Sequence, residues 1–95
     1  MSYEGKVGMI RTCLTANFQD VRDREDLNLG PLFVFNNGEH RWQLHFSRVF
    51  IDDFTYPDQL LTVIEDRVIP EVLANLGMRI EVGSGGSITV IAKDP

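Results

Sequence analysis

The sequence predicts an α+β fold: one small domain in the order α-β-β-α-β-β, an antiparallel sheet with helices packed on one face. Three observations predict it. Apolar residues recur at helical spacing before residue 21 and again between residues 60 and 76. Alternating apolar and polar residues flank Asn37-Gly38, the strongest hairpin signal in the chain. A second alternating pair of segments flanks a glycine-rich run at 83–87. Two amphipathic helices and two hairpins bury their apolar surfaces most simply as helices laid on one side of a sheet. The 95 residues are read as one domain, 1–95.

The first helix is expected over residues 4–21, with Val7, Ile10, Cys13, Leu14, Phe18 and Val21 on one stripe. Gly5 and Gly8 weaken its first turn, which places the firm part from Met9 onward. Thr12 and Thr15 lower its propensity and keep a strand as the alternative. Residues 19–30 read as a mixed-charge connector. Its carboxylates, Asp20, Asp23, Glu25 and Asp26, lack the spacing of a calcium loop and are interrupted by Arg22 and Arg24.

Pro31 opens a strand over 32–36. A two-residue turn at Asn37-Gly38 pairs Asn36 with Glu39, Phe35 with His40 and Phe33 with Trp42. Phe33, Phe35, Trp42, Leu44 and Phe46 then share the core face. Leu32, Val34, Arg41, Gln43, His45 and Ser47 take the outer face, where two apolar residues are unexpected. After Ser47 the alternation blurs, with Val49 and Ile51 on the outer parity. Either a bulge shifts the register, or this strand end is covered on both sides. Asp52-Asp53 ends the strand.

Thr55 to Asp58 has the form of a capping box, and Pro57 suits a first helical turn. Leu60, Leu61, Ile64, Val68, Val72, Leu73 and Leu76 form a stripe ending at Gly77. Pro70 removes the bond to the Asp66 carbonyl, so a kink is expected, or a second short helix starting there. The last hairpin places Met78, Ile80 and Val82 opposite Ile88, Val90 and Ala92.

Few residues carry a chemical signature. The glycine loop at 83–87 lies between strands and lacks Gly-Lys-Ser/Thr, so it is read as a flexible hairpin tip and not a phosphate loop. His40 and His45 are five apart on a strand and face opposite ways. With a single cysteine, Cys13, they complete no zinc site and the chain has no internal disulfide. Asp52, Asp53 and Asp58 are read as helix caps and not as a catalytic pair. The expectation is a protein that is not an enzyme, with no cofactor, no metal and no membrane span. A net charge of −5 opposes nonspecific nucleic-acid binding by the whole surface and leaves a local basic patch open. The scattered basic residues mark no groove, so no direct sequence-specific nucleic-acid binding is expected. The N-terminus has no signal-peptide pattern, so the expected site of synthesis and residence is the cytoplasm.

Trp42-Gln43-Leu44-His45-Phe46, Val49-Phe50, Pro57-Asp58, Leu60, Glu65 and Arg67-Val68-Ile69-Pro70 resemble the tail terminator proteins of lambda-like long-tailed phages, and the related tail-completion proteins of contractile-tailed phages. The resemblance lies mainly within residues 41–73. It implies a structural virion protein, assembled in the host cytoplasm as a hexameric ring at the tail tube end or neck. Its partners would be other copies of itself and tail-tube or head–tail connector proteins. The candidate assembly interface is then Leu32, Val34, Val49 and Ile51, with Gly83, Ser84, Gly85, Gly86 and Ser87 reaching toward the tube or connector. The alternative is a small acidic inhibitor or immunity-type protein that blocks a host or toxin enzyme, with the acidic segment at 20–26 as its contact.

Overall fold

The computed structural model describes residues 2–24 and 29–92. Helix α1 (Tyr3–Asn17) is followed by strands β1 (Gln19–Arg24), β2 (Leu32–Asn36) and β3 (Arg41–Phe46). Helices α2 (Arg48–Asp52) and α3 (Pro57–Val63), a π turn (Ile64–Val68) and helix α4 (Ile69–Ala74) lead to β4 (Arg79–Val82). A short 3₁₀ turn (Ser84–Gly86) connects β4 to β5 (Ile88–Ile91). The five strands form one sheet in the order β1-β2-β3-β4-β5. The α+β class is as expected, but the sheet is mixed, because β3 and β4 run parallel. The helical segment between them is the long crossover that a parallel pair requires.

Helix α1 starts earlier and ends earlier than its stripe predicts. The Ser2 hydroxyl accepts the Gly5 amide at 3.0 Å, and this cap stabilises a first turn that contains a glycine. Val7, Ile10, Cys13 and Leu14 are buried, whereas Phe18 is the C-cap and Val21 lies on β1. The connector expected over 19–30 thus contains an edge strand; Glu25 and Asp26 lie outside the described residues. Polar and charged residues tolerate an edge strand because its ladder bonds come from the backbone. A register shift separates Gln19 from Arg22, and Asp20 there has φ 52°. Asp tolerates this left-handed bulge geometry better than most residues.

Arg11 of α1 grips Asp23 of β1 through Nε–Oδ1 and Nη2–Oδ2 contacts, both 2.7 Å. These hydrogen bonds hold the Asp23 carboxyl below its ordinary 3.8, against the opposing effect of its partial burial. Since the folded value is the lower one, the stabilisation is complete above the unfolded value and is lost as pH falls through the folded value. Arg11 is 44% exposed, so solvent screening keeps the pair near ~0.5–1 kcal/mol. Arg11→Ala is expected to lose about that much at neutral pH and to flatten the acid limb of stability. Urea melts of both proteins across this range check it; parallel pH profiles would refute it.

The β2–β3 register differs from the expected one by two residues. Phe35 pairs with Trp42 and Phe33 with Leu44, and residues 37–40 form the loop. The Asn37 carboxamide oxygen accepts the amides of Glu39 and His40, and that of Asn36 accepts the Gly38 amide. These side-chain bonds favour a four-residue loop over the two-residue turn. An even shift leaves every side chain on its face. Phe33, Phe35, Trp42, Leu44 and Phe46 are accordingly all buried.

Strand β3 ends at Phe46, not at Asp52-Asp53. The Ser47 hydroxyl accepts the Phe50 amide at 3.1 Å and caps α2. Neither a bulge nor a doubly covered strand explains the blurred alternation; the chain has become helical. Phe50 and Ile51 enter the core and Val49 is 55% exposed. The expected capping box at Thr55 to Asp58 does not form: Tyr56 is the N-cap, with no side-chain cap bond, although Pro57 opens the helix as anticipated. Pro70 lies just past a π turn, in which the Ile69 amide donates to the Ile64 carbonyl. The wider turn accommodates the missing proline N–H within a continuous helical run. Leu60, Ile64, Val68 and Val72 are buried in the core, while Leu73 and Leu76 are each 52% exposed, off the expected stripe.

Candidate interaction surface

Burial alternates along the central strands, and every fully buried strand residue points to the helical side. The other face of the sheet carries no described helix. Its cross-strand rows follow from register. Arg22, Val34, Gln43, Arg79 and Ile91 form one row. Arg24, Leu32, His45, Glu81 and Thr89 form the next, and Asn36 and Arg41 pair beyond them. The face therefore gathers four arginines, Arg22, Arg24, Arg41 and Arg79, against the carboxylates of Asp20 and Glu81. The whole chain has a net charge of −5, so this face is opposite in sign to the rest.

A cleft of about 610 Å³ opens here, lined by Arg22, Arg24, Leu32, Val34, Arg41 and Gln43 among others. Arg79 donates to Gln43 Oε1 at 3.4 Å and to Glu81 Oε1 at 3.3 Å, which ties the β3 and β4 side chains together. The Asn36 amide group donates to Asp20 Oδ2 at 3.1 Å, holding the bulge against β2. His45 Nε2 lies 3.1 Å from the Leu29 carbonyl oxygen, with Nδ1 3.9 Å from Glu81. Leu32 and Val34 sit between the arginines and are half-buried.

The residues expected from sequence to form an interface are not all in one place. Leu32 and Val34 are on this outer face. Val49 is exposed on α2, beyond the end of β3. Ile51 is fully buried, because a helix directs it into the core, and it drops out of the candidate interface. The 83–87 tip is not a loose loop. The Gly83 amide donates to the Ser87 carbonyl at 2.8 Å, and the Gly85 amide reaches Asp53 Oδ2 at 3.5 Å. Gly86 is buried with φ +78°, and a Cβ there would meet Arg67 Nη1 at 3.1 Å. Ser84, Gly85 and Ser87 remain exposed.

Sequence spacing alone does not reveal the arginine cluster. Parity places Arg41 on the outer face, but Arg22 and Arg24 join it only because β1 is a strand. Cys13 is buried on α1; burial pushes its thiol pKa up, and the Glu65 carboxylate adds to the shift. That is the environment of an unreactive thiol. Among the described residues no group of three or more His, Cys, Asp and Glu side chains could hold a metal ion. No described helix is long and apolar enough to cross a membrane. Compared with protein-family models, curated proteins and solved structures, the chain matches none.

Proposed function

We propose that this protein is a structural phage virion subunit of the tail terminator or tail-completion kind, which assembles into a ring at the tail tube end or neck. The observation that carries the proposal is the outer face of the sheet, which no described helix covers and where Leu32 and Val34 lie half-buried among arginines. A small domain gains stability from such a face when a neighbour covers it. The Pro57-Asp58 helix start and the helical run through Pro70 support the family resemblance; the long strand does not, since β3 ends at Phe46 and α2 intervenes. In this role the protein has no catalytic residues and no cofactor, and its partners are its own copies and tail-tube or connector proteins. Native mass spectrometry at micromolar concentration, with and without tail-tube protein, tests the proposal. A closed multi-subunit particle is expected. A monomer in both conditions would rule the ring out.

The second reading, an acidic inhibitor, is favoured by the exposed carboxylates Asp58, Glu65, Asp66 and Glu71 along the helical run. It requires a basic enzyme target and a monomeric inhibitor, which the same measurement distinguishes.

A further inference from the structure

The two sides of this molecule carry opposite charge, and we propose that they form a head-to-tail contact between copies of the chain. One side is the outer sheet face, with Arg22, Arg24, Arg41 and Arg79 around Leu32 and Val34. The other is the solvent side of the 57–74 helical run, where Asp58, Glu65, Asp66 and Glu71 are exposed and Arg67 is the one base. The buried residues of that run, Leu60, Ile64, Val68 and Val72, belong to the core on the helical side of the sheet, so its exposed carboxylates lie away from the outer-face arginines of the same copy. The two patches can meet only between molecules.

The chemistry of the patches fits this pairing. Arg22 and Arg24 make no ion pair among the described residues. Guanidinium groups grip carboxylates in bidentate fashion, and half-buried Leu32 and Val34 supply an apolar centre between them. A nucleic acid fits the face less well. The outer-face rows hold no Phe, Tyr or Trp on which bases could stack, and the net charge of −5 repels a phosphate backbone. A contact between two different patches of one chain is heterologous, and it closes into a ring when its rotation allows. This contact would be the interface of the ring proposed above, and it rests on that reading for closure.

The test uses two full-length variants. One carries Arg22→Glu and Arg24→Glu on the sheet face; the other carries Glu65→Lys and Asp66→Lys on the helical run. Each alone is expected to self-associate about 100-fold more weakly than the wild type, read by analytical ultracentrifugation. Mixed in equal amounts they should assemble again, because the intact acidic run of one meets the intact arginines of the other, and the two charge-reversed patches complement each other at the alternate contact. Wild-type assembly should also weaken as ionic strength rises. If the sheet variant assembles like the wild type, or the mixture of two folded variants stays monomeric, this contact is wrong and a ring built on another interface survives. If the wild type itself is monomeric at low salt even with tail-tube protein, both the contact and the ring fall. Should either variant fail to fold by circular dichroism, the wild-type salt series decides, and salt-insensitive assembly overturns the contact.

Discussion

Replacing Trp42 by alanine is expected to destabilise the protein by about 3–5 kcal/mol, a large part of what a domain of this size has to lose. Trp42 is 0% exposed and is the largest of the fully buried side chains. Its ring stacks on Phe35 at 5.7 Å and tilts against Phe18 at 5.3 Å, so one residue joins the end of α1 to two strands. Its indole N–H also donates to the Asn75 carbonyl at 3.0 Å. That carbonyl belongs to the C-cap of α4, so the bond ties the helix end to the edge of the core. Trp42→Phe keeps most of the ring volume and removes the donor. Its expected cost is about 1–2 kcal/mol, for the lost hydrogen bond and the small void; the Asn75 carbonyl keeps the Met78 amide at 3.3 Å. Urea unfolding of both variants, followed by circular dichroism, gives the two values. An alanine variant within about 1 kcal/mol of the wild type would mean that the aromatic cluster is not the centre of the core.

Gly30→Ala is expected to cost about 4 kcal/mol or more. Gly30 has φ +100°, and an added Cβ would lie 2.0 Å from the Phe46 carbonyl oxygen and 2.7 Å from the Arg48 amide nitrogen. Both are backbone atoms where β3 gives way to α2, so no side chain can swing aside. The neighbouring bonds, Phe46 amide to Pro31 carbonyl and Arg48 amide to Leu29 carbonyl, hold the two segments together. Gly38→Ala is the control. Gly38 has φ +94°, and an added Cβ there would meet nothing within 4 Å, so it should lose only the conformational strain of about 1–2 kcal/mol. Melting temperatures of the two variants separate clash from strain. Equal losses at both sites would show that the close approach of backbones does not matter.

Which parts of the fold are legible in the sequence depends on how each element is stabilised. The core face of the β2–β3 hairpin can be read because side-chain period depends on parity, and parity survives a register error of two residues. Strand β1 cannot, since its only apolar residue is Val21 and its place in the sheet comes from backbone bonding to β2. Helix α2 is hidden because Val49 and Ile51 read as apolar residues on the outer parity of a strand that runs on; the Ser47 cap and the Gly30 approach turn the chain there. The buried residues of the 57–74 run are legible from spacing, but the π turn before Pro70 is not, because it is one of two ways to absorb a missing N–H. In the candidate surface, Leu32 and Val34 are visible as apolar residues on the wrong parity. Ile51 is assigned there falsely by the same rule, applied past the end of its strand.

The sequence by itself determined the class, the hairpin faces and most of the core, because these follow from local period and turn chemistry. Only the tertiary structure decided the parallel pairing of β3 with β4 and the gathering of Arg22, Arg24, Arg41 and Arg79 on one face. Those residues lie far apart along the chain, and the force that aligns them is strand pairing between distant segments. No local pattern records that pairing, so the surface on which assembly is proposed exists only once the sheet has formed.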